Sequence, residues 1–594
     1  MHVNMRLVGI LMVSSLGWVS GEIIPADRLP LPGTWESAGV EGGIPPRARI
    51  FANVTHAPYG ADNTGMTDAT SAIQAAIDAC PSGQVVFVPA GRYLVSGYIK
   101  LASNVTLRGA GSDLTTFDLR GPISMTVSGP WPPPKVSAPL PIVGGSTRGS
   151  TTVQLTDTSS VSAGRIILVD ELDDSSLVWT KTDSPARYRG TLHMVESVTA
   201  NSVTFRPALP IDYDTLPQLS VQGYRAPIQN AGVESIRFDL SDGTAPSAIK
   251  IQIAWNCWVY DCEFTGMGKK TIVTAWAGRI EIRKNYLHDQ TGGGSNSEGI
   301  DLFSDTHWSL VTDNICVAAG FPQINMGDSG PNGNYSGCFG NVISYNYAVD
   351  SYYTDPPTAG NHGVMTADIQ TNHSPHPQFN LVEGNWVGKF GADSYHGSGS
   401  HNTFLRNVAT GQPSRWSNAT HRIAIAIDRR NLYYNIVGNV FGDVDKVADH
   451  KSVSAFWQGA TIYRLGFPNI GNQGFSGTHP SDPLIYGNSG PRDLYVEPLG
   501  TAFGTTIIEG NWNSVDNAQS WSTDPQAIPN SLYLSGKPIW FASLPWPPVD
   551  PANPVTGDRT IIPAGYRYIH GTDPQSTEQI SPDAPFGLRI IESE

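Results

Sequence analysis

The sequence predicts an all-β chain wound as a parallel β-helix, a solenoid with an N-terminal capping helix and a small inserted β-subdomain. Three observations carry that expectation. A short apolar phrase closed by Asn recurs along the chain, the composition is rich in turn formers and poor in charge, and an amphipathic segment stands just before the first short strands.

Residues 378–411 state the phrase twice. Asn380 opens an apolar run at Leu381 and Val382 and Asn385 closes it; Asn402 opens a run at Phe404 and Leu405 and Asn407 closes it, 22 residues after Asn385. That is about one turn of a solenoid whose strands stack flat. The same phrase recurs as Ile280-Glu281-Ile282-Arg283-Lys284-Asn285, Leu310-Val311-Thr312-Asp313-Asn314, Asn341-Val342-Ile343-Ser344-Tyr345-Asn346, Asn435-Ile436-Val437-Gly438-Asn439 and Ile507-Ile508-Glu509-Gly510-Asn511. Asn suits a tight turn because its side chain bonds local backbone and tolerates a left-handed conformation. On successive turns such residues can bond up and down a ladder. The closing residues are spaced 29, 32, 39, 22 and 32 apart, so most coils carry an insertion beyond the basic turn. Insertions on a rigid scaffold are where binding and catalysis are to be sought. The main coils are expected over residues 226–515.

With 62 Gly, 45 Pro and 15% charged residues, the chain has many turns and few salt-bridged helices, while 15 Trp and 22 Tyr supply flat rings. A net charge of −15 argues against nucleic acid and against anionic membranes as partners. It leaves an anionic glycan open, because a local Arg cluster can override the global sign. Residues 1–21 read as an export signal: Arg6, an apolar run from Leu7 to Val19, and small residues ending near Gly21. That run is too short to span a membrane. The expected product is soluble, secreted or periplasmic, and monomeric. Five cysteines cannot be the main source of stability. Cys316 and Cys338, 22 residues apart, fit either a bridge between adjacent turns or two buried thiols.

In chain order, residues 22–139 begin with a Pro-rich lead and continue into a helix. Thr67 is the expected N-cap, Asp68 suits the first turn, and Ala69, Ile73, Ala76, Ile77 and Cys80 line one face until Pro81 and Gly83. Short strands follow at residues 84–88, 89–94 and 104–109. A helix here would cover the otherwise exposed end of the solenoid. Residues 140–225 alternate like antiparallel strands, notably at 150–155, 165–169, 193–198 and 202–205, and are expected to form the inserted subdomain. Residues 516–594 form a Pro-rich tail expected to lie extended along the scaffold.

Gly-Ala-Asp-Asn-Thr-Gly-Met-Thr-Asp-Ala-Thr-Ser-Ala-Ile-Gln-Ala-Ala-Ile-Asp-Ala-Cys at 60–80, Val-Val-Phe-Val-Pro-Ala-Gly-Arg-Tyr at 85–93 and Val-Thr-Leu-Arg-Gly-Ala-Gly at 105–111 closely resemble the start of pectate-lyase-superfamily proteins. More narrowly they are similar to the rhamnogalacturonase and epimerase-like branch. The resemblance implies a right-handed parallel β-helix and glycan handling, since the branch holds hydrolases, lyases, epimerases and phage tailspikes.

Hydrolysis of a glycosidic bond needs a proton donor and a carboxylate, and neighbouring coils about 4.8 Å apart can supply them. Candidate catalytic groups fall between Glu298 and Arg430: Glu298, Asp301, Asp368, Asp393 and His396. An Asp a few residues from His-Gly can orient an imidazole or hold a sugar hydroxyl. Asp301 and Asp393 also fit simple turn caps, and Glu383 recurs as Glu509 in the same Glu-Gly-Asn-Trp phrase, so Glu383 is read as a turn residue. His373, His376, Arg415 and Arg429 are candidate substrate-binding groups, and Trp386, Tyr395 and Trp416 are candidate stacking platforms for sugar faces. No third ligand follows His373 and His376 at zinc spacing, so no metal site is expected. Polygalacturonase-type hydrolases carry Asn-x-Asp, Asp-Asp, Gly-His-Gly and Arg-x-Lys in order. This chain instead has Asp301, Asn361-His362-Gly363 or Tyr395-His396-Gly397, and Asp428-Arg429-Arg430 without the Lys.

The expected function is therefore cleavage of a polysaccharide by a glycoside hydrolase with paired carboxylates and no required cofactor. A lyase is the alternative; it needs a base, usually Lys or Arg of lowered pKa or a His-Tyr pair, often with calcium on the uronate carboxylate, and Arg406, Arg415, Arg422, Arg429 and Arg430 are dense here while Lys is scarce. A non-catalytic glycan binder or tailspike-like protein is the alternative from another class.

Overall fold

In the computed structural model, the recurring phrases become strands of about three residues that stack in parallel. The structure describes residues 23–122, 125–128, 138–179, 187–223, 225–242, 244–290, 297–303, 305–327, 337–351, 365–414, 422–443, 452–454, 461–467, 502–522, 524–555 and 557–575. Among these, three long sheets of 12, 12 and 13 strands form the sides of a right-handed parallel β-helix. The first sheet collects the phrases in register: Ile282, Val311, Ile343, Val382, Phe404, Ile436 and Ile508 pair coil on coil. All but Ile508 are fully buried and form one side of the central core.

The closing Asn residues align as their spacing predicts. Asn285, Asn314, Asn346, Asn385, Asn407 and Asn439 each donate from Nδ2 to Oδ1 of the Asn one coil on, ending at Asn511, at 2.9–3.0 Å. The same Oδ1 atoms also accept the backbone N–H of the preceding Asn. This ladder satisfies a buried turn that would otherwise strand its amides. A second, shorter ladder runs from Asn341 through Asn380 to Asn402 and ends on the Tyr434 hydroxyl.

The capping helix spans Thr70–Ala79, with Ile73, Ala76 and Ile77 buried against the first coils. It begins later than expected. Thr67 lies in the strand Thr64–Asp68, and Asp68 accepts from Thr70 N at 3.0 Å and from Ser96 Oγ at 2.6 Å, so the acid and not Thr67 organises the entry. Of the five cysteines, all are free; Cys316 and Cys338 are buried thiols rather than a bridge.

Six antiparallel strands between Leu140 and Gln222 close into a barrel beside the helix. Barrel and helix share a hydrophobic cluster that joins Leu192 and Phe205 to Trp276, Trp308 and Phe339. Leu192 N donates to His307 Nδ1 and Trp308 Nε1 donates to Leu192 O, each at 2.7 Å. Farther along, Trp179 N donates to Ser398 Oγ and Ser398 N returns a bond to Trp179 O, each at 2.8 Å.

The outer faces of two sheets are covered by the chain's own ends. On the first sheet, Ile24 and Trp35 of the lead pack with Leu532 and Tyr533 over Val342, Leu381, Leu405 and Val437. On the second, Val549, Ile561, Ile562 and Ala564 lie over Tyr347, Trp386, Val408 and Val440, and Arg567 of the helix Pro563–His570 bonds Asp313 at 2.8 Å. The third sheet carries polar side chains on its outer face instead.

Candidate functional site

Along the outer face of the third sheet, Lys250, Val273, Asp301, Asn325, Gln370, Gly391 and Ala426 succeed one another coil by coil. Their strand neighbours, such as Ile300, Leu302, Ile324, Ile369 and Phe390, point inward to the core. The two-residue period therefore sets every second side chain on one face. The longer connections of coils 290–430 lead into or out of this sheet.

Two polar centres stand on that face. In the first, Lys270 Nζ lies 2.6 Å from Asp301 Oδ2 and 3.4 Å from Glu298 Oε2. Those two carboxylate oxygens are consequently no more than about 6 Å apart. Asn325 Nδ2 donates to the other oxygen of Asp301 at 3.2 Å. Asp301 is fully buried, and both its carboxylate oxygens are engaged, by Lys270 and by Asn325.

The second centre joins four of the expected residues. His373 Nδ1 is 2.5 Å from Asp393 Oδ2, and Gln370 Nε2 donates to the same oxygen at 2.6 Å. Tyr395 N donates to Asp393 Oδ1 at 2.9 Å. The Tyr395 ring stacks on the His373 ring at 5.4 Å between centroids, and His396 meets both rings edge-on at 4.6–4.9 Å. Asp393, His373, Tyr395 and His396 are all half-buried, so the cluster is held yet reachable. The turn that presents it is fixed from the next coil, where Asn431 Oδ1 accepts from Asn372 Nδ2 and Asn431 Nδ2 donates to Asp393 O.

Other expected residues take different places. Asp368 is fully buried and accepts from Ser351 N, Gly388 N and Lys389 N at 2.8–3.1 Å. Burial nevertheless pushes its carboxyl up to about 8. It ties coils together and presents no oxygen to a substrate. His376 is likewise removed from the outer face of the third sheet: it sits in the seam between helix and barrel, bonded to Ser398 Oγ and Ser400 Oγ at 3.1 and 2.8 Å. Burial holds its pKa well below the usual imidazole range. Trp386 is not a sugar platform, because it stacks against Tyr347 beneath the C-terminal segment. Arg429 is buried on the turn stacked above residues 393–397. Arg415 and Trp416 lie outside the described residues.

Glu383, read as a turn residue, is buried on the first sheet, where Tyr345 Oη and Leu532 N donate to it at 2.9 Å. Lys270 went unread in the sequence. Its only signal is the Lys269-Lys270 pair one coil before Asp301, and insertions hide that register. Lys389, fully buried beside Asp368 and lowered to about 7 chiefly by burial, gave no signal at all. Among the described residues, no three His, Cys, Asp or Glu side chains gather as a metal site.

Residues 51–126 match the family model described as rhamnogalacturonase A/epimerase, pectate lyase-like. No curated protein matches the chain. Among solved structures it is similar to the tailspike gp61 of Pseudomonas phage phi297, at 15% identity and a TM-score of 0.44 over 66% of this chain and 69% of that one. It is also similar to the A-module of the mannuronan C-5 epimerase AlgE6 of Azotobacter vinelandii, at 13% identity and 0.36 over 70% and 91%. A third is the catalytic unit of the GH87 α-1,3-glucanase of Streptomyces thermodiastaticus strain HF3-3, at 14% identity and 0.35 over 82% and 71%. The fold and the matched segment fit the pectate lyase-like superfamily of parallel β-helices.

Proposed function

We propose that this chain is a polysaccharide-processing enzyme that cleaves by proton transfer, β-elimination at a uronate unit, with His373 as base and Tyr395 as acid. The observation that supports this reading is the 2.5 Å contact of His373 with Asp393 beside the stacked Tyr395 ring, on the sheet that, among the described residues, the terminal segments do not cover.

The chemistry follows from the bond. His373 Nδ1–H donates to the Asp393 carboxylate, which fixes the tautomer and leaves Nε2 as the ring's basic nitrogen. Nε2 takes the proton α to the uronate carboxyl. The freed electron pair becomes the new C=C bond as the β C–O glycosidic bond breaks, and the Tyr395 hydroxyl protonates the departing oxygen. Asp393 stabilises the imidazolium that forms, and Gln370 keeps Asp393 in place. Positioned acid–base groups of this kind contribute about 10²–10⁴ in rate.

Hydrolysis by Asp301 with Asp393 fits less well. Their strands are three coil steps apart, about 14 Å, with Asp393 two residues farther along, more than the roughly 6.5–9.5 Å of inverting enzymes even when both side chains lean inward. One observation does favour a second, hydrolytic reading: Glu298 and Asp301 converge on Lys270. That reading asks one of them to hold a proton beside an ammonium, which the charge opposes. Digestion of alginate and polygalacturonate, with and without calcium, decides between them. Elimination yields a product absorbing as an unsaturated uronate; new reducing ends without that absorbance would overturn the reading in favour of hydrolysis.

A further inference from the structure

The polar face of the third sheet extends from the His373 cluster toward earlier coils, and there it carries a charge that the proposed chemistry does not use. Lys250 lies in the strand Ile249–Trp255, paired with Thr126 on one side and Val273 on the other, and Val273 pairs in turn with Asp301. Ile249 and Ile251 are fully buried in the core, so the alternation of the strand turns Lys250 outward onto the face that bears Asp301 and Gln370.

Lys250 is half-buried, and among the described residues it has no hydrogen bond or ion pair. The charge that acts on it is another cation: burial and the nearby Lys270 both press its pKa down from the usual lysine range. Lys270 has its own acids, Asp301 and Glu298. Lys250 has none. A half-buried ammonium beside a second ammonium is costly unless an anion visits it. Elsewhere on the helix buried cations are either paired with acids, as Arg108 with Glu234, Arg567 with Asp313 and Arg464 with Asp428, or bonded to backbone carbonyls, as Arg406 to Ile528, Pro529 and Val549.

We infer that Lys250 marks an anion subsite for a remote unit of the substrate chain. It binds the carboxylate or sulfate of a sugar four coil steps, about 19 Å, from the Gln370 row where the reacting unit sits. The substrate is then a long anionic polysaccharide gripped in mid-chain, and fragments too short to span the two points lose this contact. The inference rests on the reading that this face holds a polysaccharide.

The test is binding and footprinting on the full chain. Acetylation of Lys250, followed by mass spectrometry, is measured with a long oligogalacturonate, a long sulfated carrageenan fragment, a galacturonate trimer and a neutral cello-oligosaccharide. Long anionic chains are expected to protect Lys250, the trimer and the neutral chain not; the two long anions show whether carboxylate or sulfate is preferred. Lys250→Met should weaken binding of the protecting glycan about tenfold, the value of one charge-assisted contact, and flatten its salt dependence, while Lys250→Arg should restore both. Equal labelling with and without both anionic chains, or Lys250→Met binding as wild type does, overturns the subsite. An oligogalacturonate that protects Lys250 yet releases no unsaturated product sustains the subsite and overturns the elimination reading instead.

Discussion

Replacing Asn346 by Ala tests whether the coil is held by its amide ladder. The Asn346 side chain accepts from Asn314 N at 3.0 Å and from Asn314 Nδ2 at 2.9 Å. It donates to Val311 O and to Asn385 Oδ1, each at 2.9 Å. Alanine leaves the Asn314 N–H and the Val311 carbonyl buried without those partners. Each such orphan costs about 1–3 kcal/mol, so the loss is about 2–6 kcal/mol. Ser344→Ala supplies the contrast two residues away: its Oγ bonds the hydroxyls of Thr312 and Tyr533 on the outer face, which have other ways to be satisfied, and about 1 kcal/mol is expected. Urea unfolding followed by tryptophan fluorescence gives the midpoint shifts. Amide exchange shows whether the damage centres on the coils of Asn314 and Asn385, as nearest-neighbour coupling requires. If Asn346→Ala costs no more than Ser344→Ala, the ladder is decoration and the coil is held by its apolar core alone.

Asp393→Asn is expected to lower kcat about 10²-fold with little change in KM, since the carboxylate acts through His373; steady-state kinetics on the glycan that proves to be substrate check it, and an unchanged kcat would refute the role. Trp386→Ala should cost about 3–5 kcal/mol in denaturant yet leave the kcat of the folded enzyme unchanged, because the ring packs under the C-terminal segment; a KM rise would restore it as a sugar platform. The neighbours Asp368 and Lys389 should give a stability minimum near neutral pH. With its carboxyl raised from 3.8 to about 8, native Asp368 keeps a proton that the unfolded chain releases, so stability falls from about pH 4 to 8 by at most about 1.4 kcal/mol per unit. With its ammonium lowered from 10.5 to about 7, native Lys389 lacks a proton that the unfolded chain binds, so stability rises from about pH 7 to 10. Melting temperatures across that range should lose the acid limb in Asp368→Asn and the alkaline limb in Lys389→Met; unchanged slopes would refute the assignment.

The coil was legible because one residue type does one job at every turn. Only Asn offers both a donor and an acceptor at the position where the ladder passes, so the 22-residue step from Asn385 to Asn407 reads directly as one coil. The barrel strands were legible through their alternation. What could not be read is register across insertions: Asp301 meets Lys270 across 31 residues, a distance set by loop length and not by any period. His376 and Trp386 were misplaced for a related reason. The seam that buries His376 is made with Trp179 of the inserted subdomain, which bonds Ser398 across 219 residues, and the cover over Trp386 comes from Ile561 and Ile562, far later in the chain. The pairing of Asp393 with His373, by contrast, needs one short coil, 20 residues, and both were visible as candidates.

The same ladder explains why chemistry collects on one face. From Gly232–Glu234 to Asn435–Val437 the corner between the first and second sheets is the same tight step, as from Glu281–Arg283 through Asn285 to Tyr286–His288, and the Asn ladder matches its buried amides. A residue added there would break the stack. The two corners that border the third sheet carry the variation: the connection from Trp386–Val387 to Phe390–Ala392 is two residues long, whereas that from Tyr347–Val349 to Ile369–Gln370 is far longer. Glu383 and Asp393 show the consequence. Glu383 ends one short strand and Asp393 follows the end of another, ten residues later, yet Glu383, on the sheet between a tight corner and the covering tail, is buried among fixed donors. Asp393, on the sheet bordered by insertions, stands half-buried with a histidine in its grasp. Moving a His–Asp pair onto the first sheet would bury it under Leu532 and Tyr533, whereas beside the third sheet this chain leaves such a pair half-buried.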